Sequence, residues 1–194
     1  MQYRTHLTTS FALGLPLMAA VGQVSVINGL ALACGSLLPD IDHPRSFIGK
    51  KSQVVSKVAS KTLGHRGATH SLVVAILVYL GALWIARHYL SPAASFVPFW
   101  LFWGYLLHLT EDSFSKNSIH WLWPFSKVKR SARKRLFYYR TGHVSEYLIL
   151  GFMLCLLLIE IELLYLGKLQ ALFSNGFLVY IKLFLVKLQT FMGL

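Results

Sequence analysis

Residues 144–166 read VSEYLILGFMLCLLLIEIELLYL and form the strongest continuous apolar stretch in the chain. A helix must supply about 20 mostly apolar residues to cross the hydrocarbon core of a bilayer. This stretch meets that requirement, because its acidic residues lie toward its two ends. We therefore predict a membrane-spanning helix here and assign the protein to the membrane class.

The overall composition supports the same class. The 194-residue chain is 55% hydrophobic and has a mean hydropathy of +0.55, which exceeds the apolar content of ordinary soluble domains. No long polar segment separates the apolar blocks, and no internal repeat is visible. We predict one membrane-embedded domain over residues 1–194, with a motif-bearing core over 1–126 and C-terminal helices over 144–194.

The other apolar blocks predict further helices. Residues 6–39 are interrupted near 22–25, so they predict two short helices that form a hairpin. An antiparallel pair is predicted over 68–86 and 96–109. The last block, 171–194, contains two lysines and either spans the membrane or lies in its interface. The predicted fold is an all-α polytopic helical bundle.

Two basic segments, residues 43–67 and 116–140, predict the orientation of this bundle. Lys and Arg are enriched in cytoplasmic loops of membrane proteins, so both segments and the helix ends beside them are expected to face the cytoplasm. The net charge of +12 follows from this bias and from contact with anionic lipid headgroups. Binding of nucleic acid is the weaker explanation of that charge.

Side chains that can bind metal ions are concentrated at the predicted cytoplasmic helix ends. They come from five separate segments, and a random scatter would rarely place them all on one membrane face. This pattern predicts a metal site where the helices meet. The side chains are His6, Asp40, Asp42, His43, His65, His70, His108 and Asp112, followed by His143 and Glu146, whose roles the sequence leaves open.

The spacing of these residues supports coordination. His108 and Asp112 are four apart, so they share one face of a helix and can bind the same cation. Asp40 and Asp42 lie between two prolines, which favours an extended chain that points both carboxylates the same way. Two carboxylates so close repel unless a cation or a shared proton compensates them. Helix capping or an ion pair with a nearby arginine is the alternative for this pair.

The histidines before the predicted helix at 68–86 are less regularly spaced. His65 and His70 are five apart, which does not match one helical face, but Gly67 permits a turn that brings both imidazoles together. Single histidines near a membrane boundary are usually interfacial or capping residues. We interpret His88 and His120 in that way.

Four motifs occur in order over the first two thirds of the chain. They are Thr5-His6, LLPDIDHPRS at 37–46, HRGATHS at 65–71, and GYLLHLTEDSF at 104–114 with WPFS at 123–126. In these segments the chain resembles the inner-membrane metal-dependent hydrolase family, sometimes described as LexA-regulated. The resemblance implies a bacterial inner-membrane protein with a divalent metal site, usually supposed to be zinc, and a distant similarity to zinc-dependent phospholipase C.

The resemblance also implies roles for individual residues. Arg66 and Thr69 share the HRGATHS motif and are expected to bind or orient a substrate oxyanion. After Asp112 the sequence SFSKNSIH departs from the family pattern, and no motif supports the last third of the chain. The metal-binding residues carried over by position are His6, Asp40, Asp42, His43, His65, His70, His108 and Asp112.

Mixed imidazole and carboxylate ligands suit Zn²⁺ or Mn²⁺, and a set this large can hold one or two ions. We predict metal-assisted hydrolysis with metal-activated water as the nucleophile. A carboxylate not used as a ligand, Asp42 or Glu111, is the expected general base. Arg66 would offset phosphate charge. A site beside the headgroups predicts membrane lipid as partner and a lipid phosphoester, or a similar amphiphile, as substrate.

The sequence is also compatible with two other functions. The protein can be a non-enzymatic metal-binding or transport protein, although transporters usually place ionisable ligands near the membrane midplane. It can also be a membrane-tethered nuclease or nucleic-acid-binding protein that uses the basic segment 127–140, where Phe137, Tyr138 and Tyr139 would stack on bases. The same aromatic residues suit an interfacial belt equally well. The sequence does not predict an oligomeric state.

Overall fold

The computed structural model describes residues 1–42, 68–91, 94–116, 118–125 and 138–172, together with Lys187. These parts of the chain are helical, and their only β-type pairing is an isolated bridge between Ser115 and Tyr139. The prediction of an all-α protein is confirmed for them. The helices are α1 (Tyr3–Ala20), α2 (Val26–Leu37), α3 (Leu72–Tyr89), α4 (Val97–Ser113), α5 (Val144–Tyr165) and the short α6 (Leu169–Leu172), with a 3-10 helix at Leu38–Asp42.

The first two helices form the predicted hairpin. The chain turns at Gly22, whose φ of 70° is in the left-handed region that glycine adopts without strain. Helix α2 then begins at a capping residue, because the Ser25 side chain accepts a hydrogen bond from the backbone N–H of Asn28 at 3.2 Å. The interruption predicted near residues 22–25 is therefore a tight connection between two helices.

Helices α2 and α4 pack with their backbones in contact. A Cβ atom on Gly35 would lie 2.0 Å from the carbonyl oxygen of Leu101, and one on Gly104 would lie 2.2 Å from the carbonyl oxygen of Leu32. Small residues allow this close approach, which is common between helices in membranes. Because His108 is one turn after Gly104, the same contact brings His108 to the C-terminal end of α2.

Helix α1 is the central element of the bundle, since it packs against α2, α4 and α5. Met18, Leu32 and Trp100 form a buried core between α1, α2 and α4. At the other end of α1, the backbone N–H of Gln2 donates a hydrogen bond of 2.5 Å to Glu146 at the start of α5. Helices α1 and α5 therefore run in the same direction.

Two helices among the described residues, α3 and α5, are long and apolar enough to cross a membrane. At 1.5 Å per residue they are ~27 Å and ~33 Å long, close to the thickness of a bilayer core. Large apolar side chains such as Leu77, Trp84 and Phe152 are exposed along them, as expected for helices that contact lipid. The segment predicted at 171–194 lies mostly outside the described residues.

Helices α3 and α4 have boundaries that differ from the predicted ones. Helix α3 begins at Leu72, four residues later than predicted, because the Ser71 side chain caps it by accepting from the N–H of Val74 at 3.3 Å. Helix α4 continues to Ser113 and not only to Leu109. His70 therefore lies just before a helix, while His108 and Asp112 lie inside the last turns of another.

The close contact between α2 and α4 leads to a stability prediction. We expect Gly104→Ala to destabilise the protein by about 1–3 kcal/mol, because the new methyl group would push against the backbone of α2. The measurement is thermal unfolding in detergent. The matched control is Gly151→Ala on α5, where a Cβ meets no other described atom within 4 Å; equal melting temperatures for the two variants would contradict the packing.

The connectivity of the bundle leads to a second prediction, about orientation. Residues 43–67 and 126–137 carry most of the basic charge and join chain positions at the end of the bundle that holds Asp42 and Tyr139, so we expect that end to face the cytoplasm. In a variant with Cys34 and Cys155 replaced by alanine, a membrane-impermeant maleimide should label Lys168→Cys on intact cells. It should label Arg140→Cys only after permeabilisation, and the reverse result would overturn the orientation.

Candidate metal centre

Side chains from α1, α4, the 3-10 helix and the segment just before α3 meet at one end of the bundle. Of these, only Asp40 reaches the surface, with its side chain 17% exposed, and the others are fully buried. The structure thus brings together a cluster that the sequence placed on one membrane face. Its members are His6, Asp40, Asp42, His70, His108 and Asp112.

Ligand atoms in this cluster are close enough to share an ion. The cluster contains two groups of three residues. Within each group, one nitrogen or oxygen atom of each side chain lies within 4.8 Å of the corresponding atoms of the other two. Such spacing suits coordination by imidazole and carboxylate. The first group is His6, Asp40 and His108, and the second is His70, His108 and Asp112.

His108 is oriented by the backbone of α2. Its Nδ1 lies 2.7 Å from the carbonyl oxygen of Ser36, and because a carbonyl only accepts, Nδ1 carries the proton. The Nε2 atom is then unprotonated. It lies 3.3 Å from Nε2 of His70 and 3.9 Å from Oδ1 of Asp40, so its lone pair faces the centre of the cluster.

His70 is oriented by a hydroxyl group. The Thr69 hydroxyl donates a hydrogen bond of 2.7 Å to Asp42. Its oxygen can therefore accept a hydrogen bond of 3.2 Å from the N–H at Nδ1 of His70. This leaves Nε2 of His70 as the free ring nitrogen. That atom lies 3.7 Å from Asp40 Oδ1 and 3.6 Å from Asp112 Oδ2.

His6 is oriented by a carboxylate. Its Nδ1 is hydrogen-bonded to Oε2 of Glu111, while its Nε2 has no hydrogen-bond partner among the described residues and lies 3.6 Å from Asp112 Oδ1. The ring stacks on that of His108 with centroids 3.9 Å apart. A carboxylate behind a histidine holds the ring and makes the opposite nitrogen a better metal ligand.

The three imidazoles therefore share one arrangement: each Nδ1 is engaged outside the cluster and each Nε2 points into it. Lone pairs and carboxylates that face each other in a buried space repel unless a cation lies between them. The donor set of this structure thus fits a divalent transition metal such as zinc. Both groups of three use Nε2 of His108, which has a single lone pair, so only one ion at a time can bind His108.

The carboxylates of the cluster are suited to remain ionised. Asp40 keeps partial contact with water at the edge of the cluster, which favours its charged form. Asp112 accepts a hydrogen bond of 3.1 Å from the Tyr139 hydroxyl and lies 2.8 Å from the amino group of Met1. Anionic oxygens held this way are ready to bind a cation.

A family model described as YdjM inner membrane protein matches residues 1–186 of the chain. The chain belongs to this family. The inner membrane protein YdjM of Escherichia coli (strain K12) is 34% identical over 114 residues, which cover 56% of this chain and 54% of that protein, so the match spans about half the length of that relative. No solved structure matches the chain.

Two further relatives match over more of their own length. The Bacillus subtilis (strain 168) protein YvsG is 33% identical over 150 residues, which cover 76% of this chain and 86% of YvsG. The inner membrane protein YbcI of Escherichia coli (strain K12) is 33% identical over 127 residues, 63% of this chain and 66% of YbcI. Membership of an inner-membrane family confirms the predicted localisation. None of the names of these relatives states an activity.

For the carboxylates after α2, the structure corrects the prediction that they point the same way. Asp40 and Asp42 lie in a 3-10 helix, because Pro39 is tolerated at the start of a helical turn and the chain continues directly from α2. The two carboxylates therefore flank opposite nitrogens of His70, with Asp42 Oδ2 3.8 Å from Nδ1. Asp42 lies behind His70, whereas Asp40 faces the centre of the cluster.

The remaining residues considered in the sequence analysis lie partly inside and partly outside the cluster. The prediction that His108 and Asp112 share a helix face is confirmed, since both are buried in α4 beside His70. Glu111, considered as a general base, is held by His6. His88 is exposed at the far end of α3, as expected for a residue outside the site. His43, His65 and Arg66 lie outside the described residues.

Sequence reasoning did not assign Tyr139 to the site and left the role of Glu146 open. Tyr139, considered for base stacking, is buried and bonded to Asp112 because backbone pairing with residues 114–116 brings it back to α4. Glu146 joins chain segments, since it accepts from the N–H groups of Gln2 and Gly142. No local pattern marks Tyr139, because its contact joins residues 27 positions apart.

The contact of Tyr139 with Asp112 leads to a third prediction. We expect Tyr139→Phe to weaken metal binding by about tenfold, because groups that hydrogen-bond to metal ligands typically contribute 10–100-fold to affinity. Competition with a fluorescent chelator measures the effect. Tyr138→Phe is the matched control, since Tyr138 is 47% exposed; identical affinities in both variants would show that Asp112 does not need the hydroxyl.

Proposed function

We propose that the protein is a membrane-bound metal-dependent hydrolase that cleaves a phosphoester of a lipid or another amphiphile. The observation that carries this proposal is the common arrangement of three imidazoles, whose Nε2 atoms face two carboxylates at one end of the bundle. Zinc is the ion that this donor set suits best, and manganese is the alternative.

The residues that would hold the ion are His6, His70 and His108 with Asp40 or Asp112. A divalent ion held there would supply a Lewis acid for a phosphoryl oxygen and would activate water. The remaining groups keep the imidazoles in the right tautomer: the Ser36 carbonyl for His108, Thr69 for His70 and Glu111 for His6. Pre-organisation of this kind is what metal-assisted hydrolysis needs from a protein.

Access to the cluster favours one direction. Asp40 is the one partly exposed side chain of the six, so water or substrate would reach the cluster beside it. Asp42 is hydrogen-bonded to Thr69 and Glu111 to His6. Both carboxylates are therefore suited to hold the neighbouring histidine rings in position. Asp40 is then the carboxylate that an entering substrate would contact first.

The location of the cluster supports a lipid-like substrate. His70 comes directly before the cap of α3, one of the two candidate spans, so the cluster lies close to the depth at which the chain enters the bilayer. Phosphate groups of lipids occupy the same layer. A site at this depth reaches headgroups more easily than soluble polymers.

A second candidate function is a metal site with a structural or binding role and no catalysis. The burial of five of the six side chains favours it, because structural metal sites are closed whereas catalytic ones keep an open position. Transport is less well supported, since the ligands lie at helix ends and not near the membrane midplane. Burial of Tyr139 removes one of three aromatic residues that a nucleic-acid-binding surface would use.

Metal content tests both candidates. We expect the purified wild type to contain about one equivalent of metal or more, and the His108→Ala, Asp112→Ala double variant to contain little, because two adjacent ligands are lost. Elemental analysis by mass spectrometry measures it. His88→Ala is the matched control because His88 is exposed at the far end of α3; equal metal content in wild type and double variant would count against the site.

Activity separates the two candidates. We expect hydrolysis of a phospholipid in mixed micelles to stop on treatment with a chelator and to return when Zn²⁺ or Mn²⁺ is added. Asp40→Asn should reduce the rate by at least about a hundredfold, since it removes charge at the point of access. A protein that holds its metal tightly but cleaves neither phospholipid nor nucleic acid would support the structural role.

A further inference from the structure

The loop at residues 118–125 is fastened beside the metal centre. Ile119 is buried in a core with Ala75 and Leu109. The indole N–H of Trp121 donates to the Ser113 hydroxyl over 2.7 Å, and the carbonyl of Trp121 accepts from the N–H of Leu72 at 2.9 Å. Ser113 follows Asp112, and Leu72 is two residues after His70, so Trp121 joins two positions next to candidate metal ligands.

Beyond this anchor the loop is apolar and faces outward. Residues 122–125 read Leu-Trp-Pro-Phe, and we call them the apolar tip. Leu122 is 53% exposed and Phe125 is 85% exposed. Large apolar side chains exposed together in water are unfavourable, so the tip is expected to have an apolar environment.

The depth of the tip is set by its anchor. The hydrogen bond from Leu72 to Trp121 is made by the first residue of α3, which is one of the two candidate spans. The tip therefore lies where α3 enters the bilayer. Aromatic and apolar residues at that level settle between the headgroups and the acyl chains.

We propose that the apolar tip inserts into the cytoplasmic leaflet beside the metal centre and speeds cleavage of phosphoesters held in the plane of the membrane relative to soluble ones. The substrate part of this proposal rests on the proposed hydrolase function, whereas insertion does not. Basic residues follow the tip in the sequence, at Lys127, Lys129 and Arg130. Positive charge that follows an apolar segment in sequence is typical of chains that contact anionic headgroups.

A lipid leaflet fits the tip better than a second copy of the chain. A stable protein interface buries about 800 Å² on each partner, which is far more than four residues at the end of a loop can supply. An apolar tip fastened to a spanning helix and followed by basic residues is typical of interfacial anchoring. Lipid is therefore the occupant we assign.

Spin-label accessibility tests insertion independently of activity. The background variant has Cys34 and Cys155 replaced by alanine, and Phe125→Cys carries the nitroxide in proteoliposomes of phosphatidylethanolamine and phosphatidylglycerol. We expect the label to be accessible to oxygen, shielded from a water-soluble nickel chelate, and about 5–10 Å below the phosphates. Arg140→Cys is the matched control, because Arg140 is exposed and polar at the same end of the bundle.

Two results of this measurement would overturn insertion. If the label at 125 is as accessible to nickel as the one at 140, the tip is in water. If it is shielded from both oxygen and nickel, the tip is covered by protein, which indicates a second copy or another partner. A melting temperature in detergent equal to that of the background variant confirms that the labelled protein keeps its fold.

A comparison of a bilayer substrate with a water-soluble one tests the effect of the tip on substrate selection. We expect the double variant Leu122→Ser, Phe125→Ser to cleave bilayer phospholipid about tenfold more slowly and a water-soluble phosphoester at nearly the wild-type rate, because only the first needs contact with the leaflet. Tyr165→Ser is the control, since Tyr165 is 89% exposed at the opposite end of α5.

The outcomes of the two proposals can be separated. Equal losses on both substrates in the double variant would refute the selection of membrane-held substrates. A wild type that cleaves neither substrate would refute the hydrolase function together with the substrate assignment. In that case the depth of the label still decides whether the tip inserts.

Discussion

The backbone contact between α2 and α4 is the constraint on which the candidate metal centre depends. Gly35 and Gly104 leave no space for a side chain between the two helices, and the carbonyl of Ser36 is thereby brought within 2.7 Å of His108. This hydrogen bond turns Nε2 of His108 toward His70 and Asp40. A wider separation of the helices would leave the carbonyl out of reach, and the ring would lose its fixed tautomer.

Each of the three imidazoles is oriented by a different chemical group, and together these groups determine which metal ion the site would prefer. A carbonyl, a hydroxyl and a carboxylate hold the Nδ1 atoms of His108, His70 and His6. All three neutral rings therefore offer Nε2, which suits zinc better than a hard oxygen-seeking ion such as magnesium. The carboxylates bring negative charge into the same buried space, and a divalent cation compensates it most directly.

The parts of the site that follow helical periodicity could be predicted from the sequence. His108 and Asp112 share a face because they are four apart, and the apolar runs placed their helix end on one side of the bundle. The conformation at Asp40 could not be predicted, because prolines fit both an extended chain and a 3-10 turn. Tyr139 could not be found either, since its position depends on pairing across the segment 126–137.

Helix α3 links the chemistry of the site to the membrane. His70 precedes its capping residue Ser71, and the N–H of Leu72 holds the loop that carries the apolar tip. Because α3 is long enough to cross a bilayer core, its first turn would place both the candidate metal centre and the tip near the membrane surface. Movement of the tip away from the cluster would break the hydrogen bond between Leu72 and Trp121, so the proposed insertion of the tip would also keep a molecule bound at the candidate metal centre next to the leaflet.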